Sequence, residues 1–470
     1  MKRRHHMMTA GVEVANMATA STEAIHLPPA LRLPKAAQGL AFLAARRRLV
    51  AAMARRHGTM FTLDLPGFGR TVVIGDPELI SDLFGTSRAV LGRARLNLGK
   101  VFGPGSMFNL NGEEHLNRRR LLAPPFHSTH VAQHRRIVEE EVLRESANWP
   151  EGQEFQTLPA MTRILVRGLL RSMLGADAPA VDELCALLPS AVSLGARIGL
   201  LPPIVRKDFG VWSPGARLLR YRSHFDAAVH ALVAKARADA AFPERTDVLA
   251  ILLQARYDNG EAMSDAHIAD ELLGLLAAGY ETTAATLAWA VERLRRHPRL
   301  LSRLTAEADA GGSQWRQATI WEVQRTRPVG DIVQRRALTR IRLGDWVIPE
   351  GTTLMINVRL AHSSEDCFPR AESFDPGRFI GTTRKPSGWI PFGGGFQRCI
   401  GATFANMAMD VTLRTLLREF RLVPTDAPGE RARDHGVVFA PSRGGLAVVH
   451  RRTAVVEKQP RTTPVQMRRS

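Results

Sequence analysis

The stretch Pro391–Gly401, PFGGGFQRCIG, sets four glycines around one of the chain's three cysteines. Glycine loses more conformational freedom on folding than any other residue, so such a cluster marks backbone that needs unusual angles or a close approach. Four readings compete: a flexible loop, a phosphate cradle, a nucleophilic thiol, or a thiol bound to a metal. A phosphate loop needs Lys and then Ser or Thr after its last glycine, and GGGFQRCIG has neither. A dinucleotide turn needs a preceding strand, whereas TTRKPSGWIP reads as loop. A nucleophile needs a histidine base; none lies near in sequence, and one close only in space stays open.

The metal reading has local support. The helical pattern ATFANMAMDVTLRTLLREF follows Gly401, so Cys399 stands at a helix start, where the dipole and free N–H groups favour thiolate. One thiolate cannot fill a zinc shell, but it can be the sole axial ligand that a protein offers a haem iron.

A second segment invites chemistry. Ser264 is a plausible N-cap and His297-Pro298 closes the pattern, which predicts a helix of about 33 residues and roughly 50 Å. Its middle, AAGYETTAA, carries Gly279, Glu281, Thr282 and Thr283 where better helix formers would serve. Two readings stand at this level: a polar surface patch with a packing glycine, or a helix distorted at its centre to aim a hydroxyl and a carboxylate at a ligand.

The elements that must position these groups are mostly helical. An extended proline-rich entry (LPPALRLPK) leads into a helix stopped by Gly58. A β-hairpin is predicted around Pro66-Gly67, helical periodicity dominates from Asp76 to Ala310, and strands return in RIRLGDWVIPEGTTLMIN and GVVFAPSRGGLAVVH. The first 26 residues read as disordered and those after Arg451 as a basic tail. Three scattered cysteines exclude a disulfide framework and suit a reducing cytoplasm; no secretory signal and no membrane span is visible. The net charge of +19 comes from arginines spread along the chain, without the aromatic interleaving of a nucleic-acid platform. A basic face for an acidic protein partner suits it better, and a solvated arginine-rich surface demands least.

At this point the residues resemble the cytochrome P450 superfamily. Phe392, Gly395, Cys399 and Gly401 match its haem signature F-x-x-G-x-x-x-C-x-G. Ala278, Gly279, Glu281 and Thr282 match A-G-x-[DE]-T in the long helix; Glu322 and Arg325 match E-x-x-R, a pair common on any helix surface when taken alone. FDPGRF supplies the loop Arg378 that joins that pair, and His115 and Arg119 fall in the W/H-x-x-x-R positions that meet the haem propionates. Arg335 or Arg336 resembles a further propionate contact, with the choice open. Many members carry Arg or His where this chain has Gln397, beside Arg398, so one propionate is held more weakly or by Arg398. The wording of LLAPPFH, ETTAATLAWA and EVQRTRP is most like actinobacterial members.

The resemblance implies a mainly α fold with small β-sheets, one large domain over 27–450 around a buried haem b. It implies Cys399 as iron ligand, Thr282 hydrogen-bonding dioxygen, Glu281 relaying protons with water, and a kinked helix centre that makes room for them. It further implies a hydrophobic organic substrate bound by the loops RLNLGKVFGPGSMF and SLGARIGLLPPIV. Electrons would come from NAD(P)H through a reductase and an acidic iron–sulfur ferredoxin docking near the cysteine and NRRRLL, since no reductase domain is fused to the chain. A peroxide-using relative or a gas sensor would not need the Glu281–Thr282 pair, and nucleic-acid binding rests on charge alone.

Overall fold

The structure, a computed structural model, describes residues 23–94, 102–175, 179–199, 207–382, 386–435 and 438–452. Its main helices are α1 (Lys35–His57), α2 (Pro77–Gly85), α3 (Gly112–Leu122), α4 (Arg135–Ser146) and α5 (Thr157–Leu174). They continue with α6 (Pro179–Gly199), α7 (Pro214–Ala238), α8 (Asp265–Leu294), α9 (Gln314–Thr326) and α10 (Ala402–Glu419). The chain is mainly α, as its periodicity predicts.

Helix α8 runs through the middle. The Ser264 hydroxyl caps it by accepting from the His267 N–H at 3.3 Å, and Asp265 suits the positive end of the dipole. Apart from a break at Ala278–Gly279 and Glu281–Thr282, residues all round it from Ile268 to Val291 are buried, as a helix packed on most sides requires. Its centre is not kinked, contrary to the expectation from the resemblance: the backbone stays α-helical throughout. The hydroxyls of Thr282, Thr283 and Thr286 donate to the carbonyls of Ala278, Gly279 and Thr282 at 2.9, 2.8 and 2.9 Å, which keeps threonine compatible with the helix. Gly279 is a packing glycine: a Cβ there would lie 2.8 Å from a methyl carbon of Leu169 on α5.

A five-stranded sheet forms the second layer, from β1 (Met60–Leu65), β2 (Gly69–Ile74), β3 (Leu91–Gly92), β4 (Ile332–Ala337) and β5 (Thr353–Asn357) in the order β1-β2-β5-β4-β3. The β2–β5 pair is parallel and the others antiparallel. Strand β4 escapes a sequence reading because Gln334, Arg335 and Arg336 interrupt its apolar run; pairing on both edges makes it a strand. A hairpin of β6 (Ala432–Asp434) and β7 (Phe439–Pro441) follows late in the chain.

Residues 23–26, placed by sequence in a loose extension, are tied to the fold. Glu23 pairs with Arg342, and His26 and Val347 exchange backbone hydrogen bonds at 3.1 and 2.8 Å. At the other end Arg452 grips Asp309 at 2.9 and 2.8 Å. The remainder of both extensions, residues 1–22 and 453–470, lies outside the described residues, as do 95–101 and 200–205 of the two expected substrate loops.

The packing role of Gly279 predicts that Gly279→Val lowers stability by about 1–3 kcal/mol, and that Leu169→Ala in the same chain recovers part of it. Urea unfolding of the two single variants and the double variant measures the coupling.

Candidate active site

The cysteine loop is built by its glycines in two ways. Gly393 and Gly395 take left-handed φ values of 64° and 61°. A Cβ on Gly394 would lie 2.2 Å from the Phe84 ring, and one on Gly395 2.7 Å from the Phe84 carbonyl oxygen, so both residues seat the loop on the end of α2. Only at Gly401 would a Cβ meet nothing. The close approach expected of the glycine cluster is thus made, at Gly394 and Gly395, to the protein's own Phe84. The loop then closes through the Cys399 N–H, which donates to the Phe392 carbonyl at 3.0 Å, while the Phe392 ring stands edge-on to Trp389.

Cys399 lies deep among protein atoms yet its side chain is accessible. Burial pushes its thiol upward; the Gly401 N–H and the charges of Arg119 and Arg398 pull it back down. In the protein alone burial outweighs the thiolate preference expected at the head of α10.

Cations gather beside this thiol. His115 on α3 is buried, and burial together with Arg93, Arg119, Arg88 and Arg335 depresses it to about 4, so its ring is neutral at pH 7. Burial lowers Arg119, which feels Cys399 and Arg398, and it lowers Arg93 and Arg335 to about 10. Buried guanidinium groups that share so little negative charge demand an anionic partner. Arg335 donates to the carbonyl of Gly394 at 2.9 Å in the cysteine loop. Arg336 is the next residue on β4 and therefore faces the other way, its guanidinium against Gly351. Of the two candidates the structure brings only Arg335 to the cluster, and Arg336 is withdrawn. Gln397 and Arg398 immediately precede the cysteine, half-buried and exposed respectively. Arg93, two residues beyond Leu91 of β3, was missed from sequence; nothing in LGRAR marks it, and its Nε is buried without a hydrogen-bond partner.

At the centre of α8, Ala278, Glu281 and Thr282 share one face at i, i+3 and i+4. Ala278 is exposed although Ala277 and Tyr280 beside it are buried, so this face borders an internal space. Burial pushes the Glu281 carboxyl up to about 7.

A polar knot holds the loop from behind. Glu322 on α9, with no exposed surface, accepts two bonds from Arg325 at 2.7 and 2.8 Å, one from the Asp375 N–H at 2.8 Å and one from Arg378 at 3.3 Å. Arg325 also donates to the carbonyls of His362, Ala371 and Ser373 at 2.9, 2.7 and 2.9 Å. His362, also missed from sequence, carries the knot onward. Its Nδ1 lies 3.1 Å from the Arg325 carbonyl, and its Nε2 accepts the Ile390 N–H at 2.9 Å. These partners require the neutral ring with its proton on Nδ1, and burial depresses the imidazole to about 3.

A family model described as cytochrome P450 matches residues 209–448. Cytochrome P450 138 of Mycobacterium tuberculosis is 50% identical over 429 residues, covering 91% of this chain and 97% of that protein. Cytochrome P450 135B1 of Mycobacterium bovis is 36% identical over 434 residues, 90% of this chain and 91% of that one. The chain belongs to the cytochrome P450 family. The fold agrees: a retinoic acid-bound cyanobacterial CYP120A1 superposes with a TM-score of 0.80 at 21% identity, over 91% of this chain and all (100%) of that one. The cytochrome P450DA heme domain does so at 0.78 and 20%, over 92% and 99%.

As a cytochrome P450 this protein is a haem b monooxygenase. The residues present fit that cofactor. The accessible buried thiol suits an iron ligand, and the under-compensated cations Arg93, Arg119 and Arg335 suit two propionate carboxylates. Two predictions follow from this geometry. Arg335→Ala weakens haem retention during gel filtration at moderate salt, whereas Arg336→Ala leaves it unchanged. The second concerns acid stability. Because folded His362 takes up its proton near pH 3 and an unfolded histidine near 6.5, the unfolded chain binds more protons between those values, and stability falls as pH drops through that window. His362→Gln lowers stability at pH 7 and flattens part of this fall in denaturant titrations, while His115, His134 and His435, also lowered by burial, keep contributing to it.

Proposed function

We propose that this cytochrome P450 inserts one oxygen atom of O2 into a small hydrophobic organic substrate. The second oxygen leaves as water, which consumes two electrons and two protons. The observation that carries the reading is the deep, accessible Cys399 beside a cluster of cations, in a chain whose central helix presents an acid and a hydroxyl to an internal space. Bound haem, ligated by Cys399, supplies the activation of dioxygen and the oxygen transfer.

The chain's own residues do the rest. Arg119, Arg335 and Arg93 hold the propionates by charge-assisted hydrogen bonds, and neutral His115 donates one more. Arg398 stands beside the thiol and supplements them where Gln397 brings no charge. Phe392, Gly395 and Gly401 shape the loop, while Ala278 and Gly279 leave room at the face of α8. Glu281, which keeps its proton up to about pH 7, stores a proton where the reaction consumes one. The Thr282 hydroxyl, which donates to the Ala278 carbonyl at 2.9 Å, keeps its oxygen free to accept a hydrogen bond and pass a proton on. Glu322, Arg325 and Arg378 are structural.

An apolar substrate is supported by the small cleft that Phe102 of the expected substrate loop forms with Leu187, Leu188, Phe225 and Leu273, beside Tyr221 and Arg222. The loop that bears Phe102 is fastened to α8 by Gly105 and Met107 N–H groups, which donate to Asp270 and Glu271 at 2.7 and 2.6 Å. Electrons come from NAD(P)H through a reductase and an acidic iron–sulfur ferredoxin, for which exposed Arg120 and Arg398 are docking groups. Arg118 of NRRRLL is removed from that list, because it is buried in an ion pair with Glu271 at 2.6 Å. A cytoplasmic setting goes with the three free cysteines; no helix among the described residues is long and apolar enough to cross a membrane.

The first test is the carbon monoxide difference spectrum of the reduced protein. A red-shifted Soret band, lost in Cys399→Ser, is expected; a histidine-like band overturns the ligand assignment. Thr282→Ala keeps that band but lowers product formed per NAD(P)H consumed by on the order of 100-fold, with hydrogen peroxide released instead. Glu281→Gln removes the loss of coupled turnover that wild type shows as pH rises through about 7, where folded Glu281 gives up its proton.

A further inference from the structure

The segment Phe102–Phe108 lies against the working face of α8. Its two aromatic rings stand 5.4 Å apart, centroid to centroid. A Cβ on Gly274 would come within 3.0 Å of the Ser106 hydroxyl and 3.1 Å of the Phe108 ring, so the segment packs directly on α8 there. Gly274 is one turn before Ala278 and shares its side of the helix. At the segment's end Arg93, of the cation cluster beside Cys399, donates to the Phe108 carbonyl.

Charged side chains hold this backbone. The Gly105 N–H donates to Asp270 at 2.7 Å and the Met107 N–H to Glu271 at 2.6 Å. In the reverse sense Arg222 donates to the Phe102 carbonyl at 3.0 Å, and Arg118 to the Gly105 carbonyl. The same groups pair with one another, Arg118 with Glu271 at 2.6 Å and Arg222 with Asp270. Three helices, α3, α7 and α8, thus meet on one short segment through two acids and two guanidinium groups. Bonds to ionised groups are stronger than neutral ones, and they last only while both charges do.

Glu271 is where this seat is vulnerable. It has no exposed surface; its Oε1 serves both Arg118 and Met107, while its Oε2 is buried with no hydrogen-bond partner. Burial and the adjacent Asp270 push the carboxyl up to about 7, against the pull of Arg118 and the Met107 N–H. The charges that face it are Arg118 from α3, Arg93 from the stretch after β3, and Asp270 of α8 itself. Behind these, His267 and Tyr257 lie 3.4 and 2.9 Å from the Arg118 guanidinium, and Arg222 of α7 divides its charge between Asp270 and Asp226.

Ionised Glu271 gives Arg118 its counter-charge. Protonated Glu271 leaves a buried guanidinium unpaired, which is strongly unfavourable. Water reaching Arg118 relieves that, at the expense of the bonds to Gly105 and Met107. We propose that Arg118, Arg222, Asp270 and Glu271 are positioning residues: they seat Phe102 and Phe108 at the substrate side of the site, and the seat holds while Glu271 is ionised. The inference rests on the reading of this segment as a substrate loop, and not on the oxygen chemistry.

The test follows hydrogen exchange of the 102–108 amides in the full haem-loaded chain from pH 6 to 8, corrected for the intrinsic pH dependence of exchange. Protection is expected to rise about tenfold through pH 7 in wild type, as the Arg118–Glu271 pair forms. Glu271→Gln lacks the rise, whereas Arg222→Gln lowers protection throughout and keeps it. Rebinding of carbon monoxide after photolysis, a probe that does not titrate, slows over the same window in wild type and stays constant in Glu271→Gln. Glu281 titrates near the same pH, so the variant that leaves it in place assigns the effect. Protection that is flat with pH, or a rise that survives Glu271→Gln, overturns the proposal and leaves the segment's assignment as a substrate loop standing. A rise that Glu271→Gln abolishes while carbon monoxide rebinding ignores pH overturns both, because the seated segment would then lie away from the ligand. The haem spectrum of each variant, unaltered, shows that it remains folded.

Discussion

A carboxylate with no exposed surface, Glu322, is the constraint on which the cysteine loop depends. Left alone it would cost several kcal/mol, and its stability rests on Arg325, Arg378 and one backbone N–H. Arg325 spends its remaining donors on three carbonyls, which fixes the chain on either side of Phe368. From there the order passes to His362, whose two nitrogens join the Arg325 carbonyl to the Ile390 N–H. Ile390 in turn accepts from Gly393, and Phe392 accepts from Cys399. A charge buried in one helix thus sets the position of a thiol 77 residues further on, through bonds that each satisfy an otherwise buried polar group.

The opposite economy rules beside the thiol. There the charges are cationic and under-compensated: Arg93, Arg119 and Arg335 are depressed by burial, and neutral His115 sits among them. A protein that ended at this point would carry a standing electrostatic penalty. A dianionic cofactor would remove it, which supports placing the haem propionates at this cluster.

Helix α8 reconciles two demands that usually conflict. It must be apolar on all sides to hold the helical layers together, and it must offer polar groups to chemistry at its centre. Threonine meets both, because its hydroxyl bonds to the carbonyl four residues back and leaves the backbone α-helical. Glycine at 279 lets α5 approach closely, so the polar centre costs little packing. Glu281 pays in its ionisation, and a carboxyl that titrates near neutrality is what proton delivery uses.

The sequence by itself determined the helical class, the extent of α8 with its Ser264 cap, the Glu322–Arg325–Arg378 lock, and the residues proposed to ligate and relay. These are legible because caps, periodicity and fixed spacings are local properties of the chain. Only the tertiary structure decided which of two adjacent arginines reaches the cysteine loop, since strand alternation separates Arg335 from Arg336 and β4 becomes a strand through its neighbours. Only it showed that α8 is unkinked, that Gly394 and Gly395 answer to Phe84, and that Arg93 and His362 belong to the site. Each of these depends on what lies across a packed interface or on the burial of a charge. Neither quantity exists until distant segments meet.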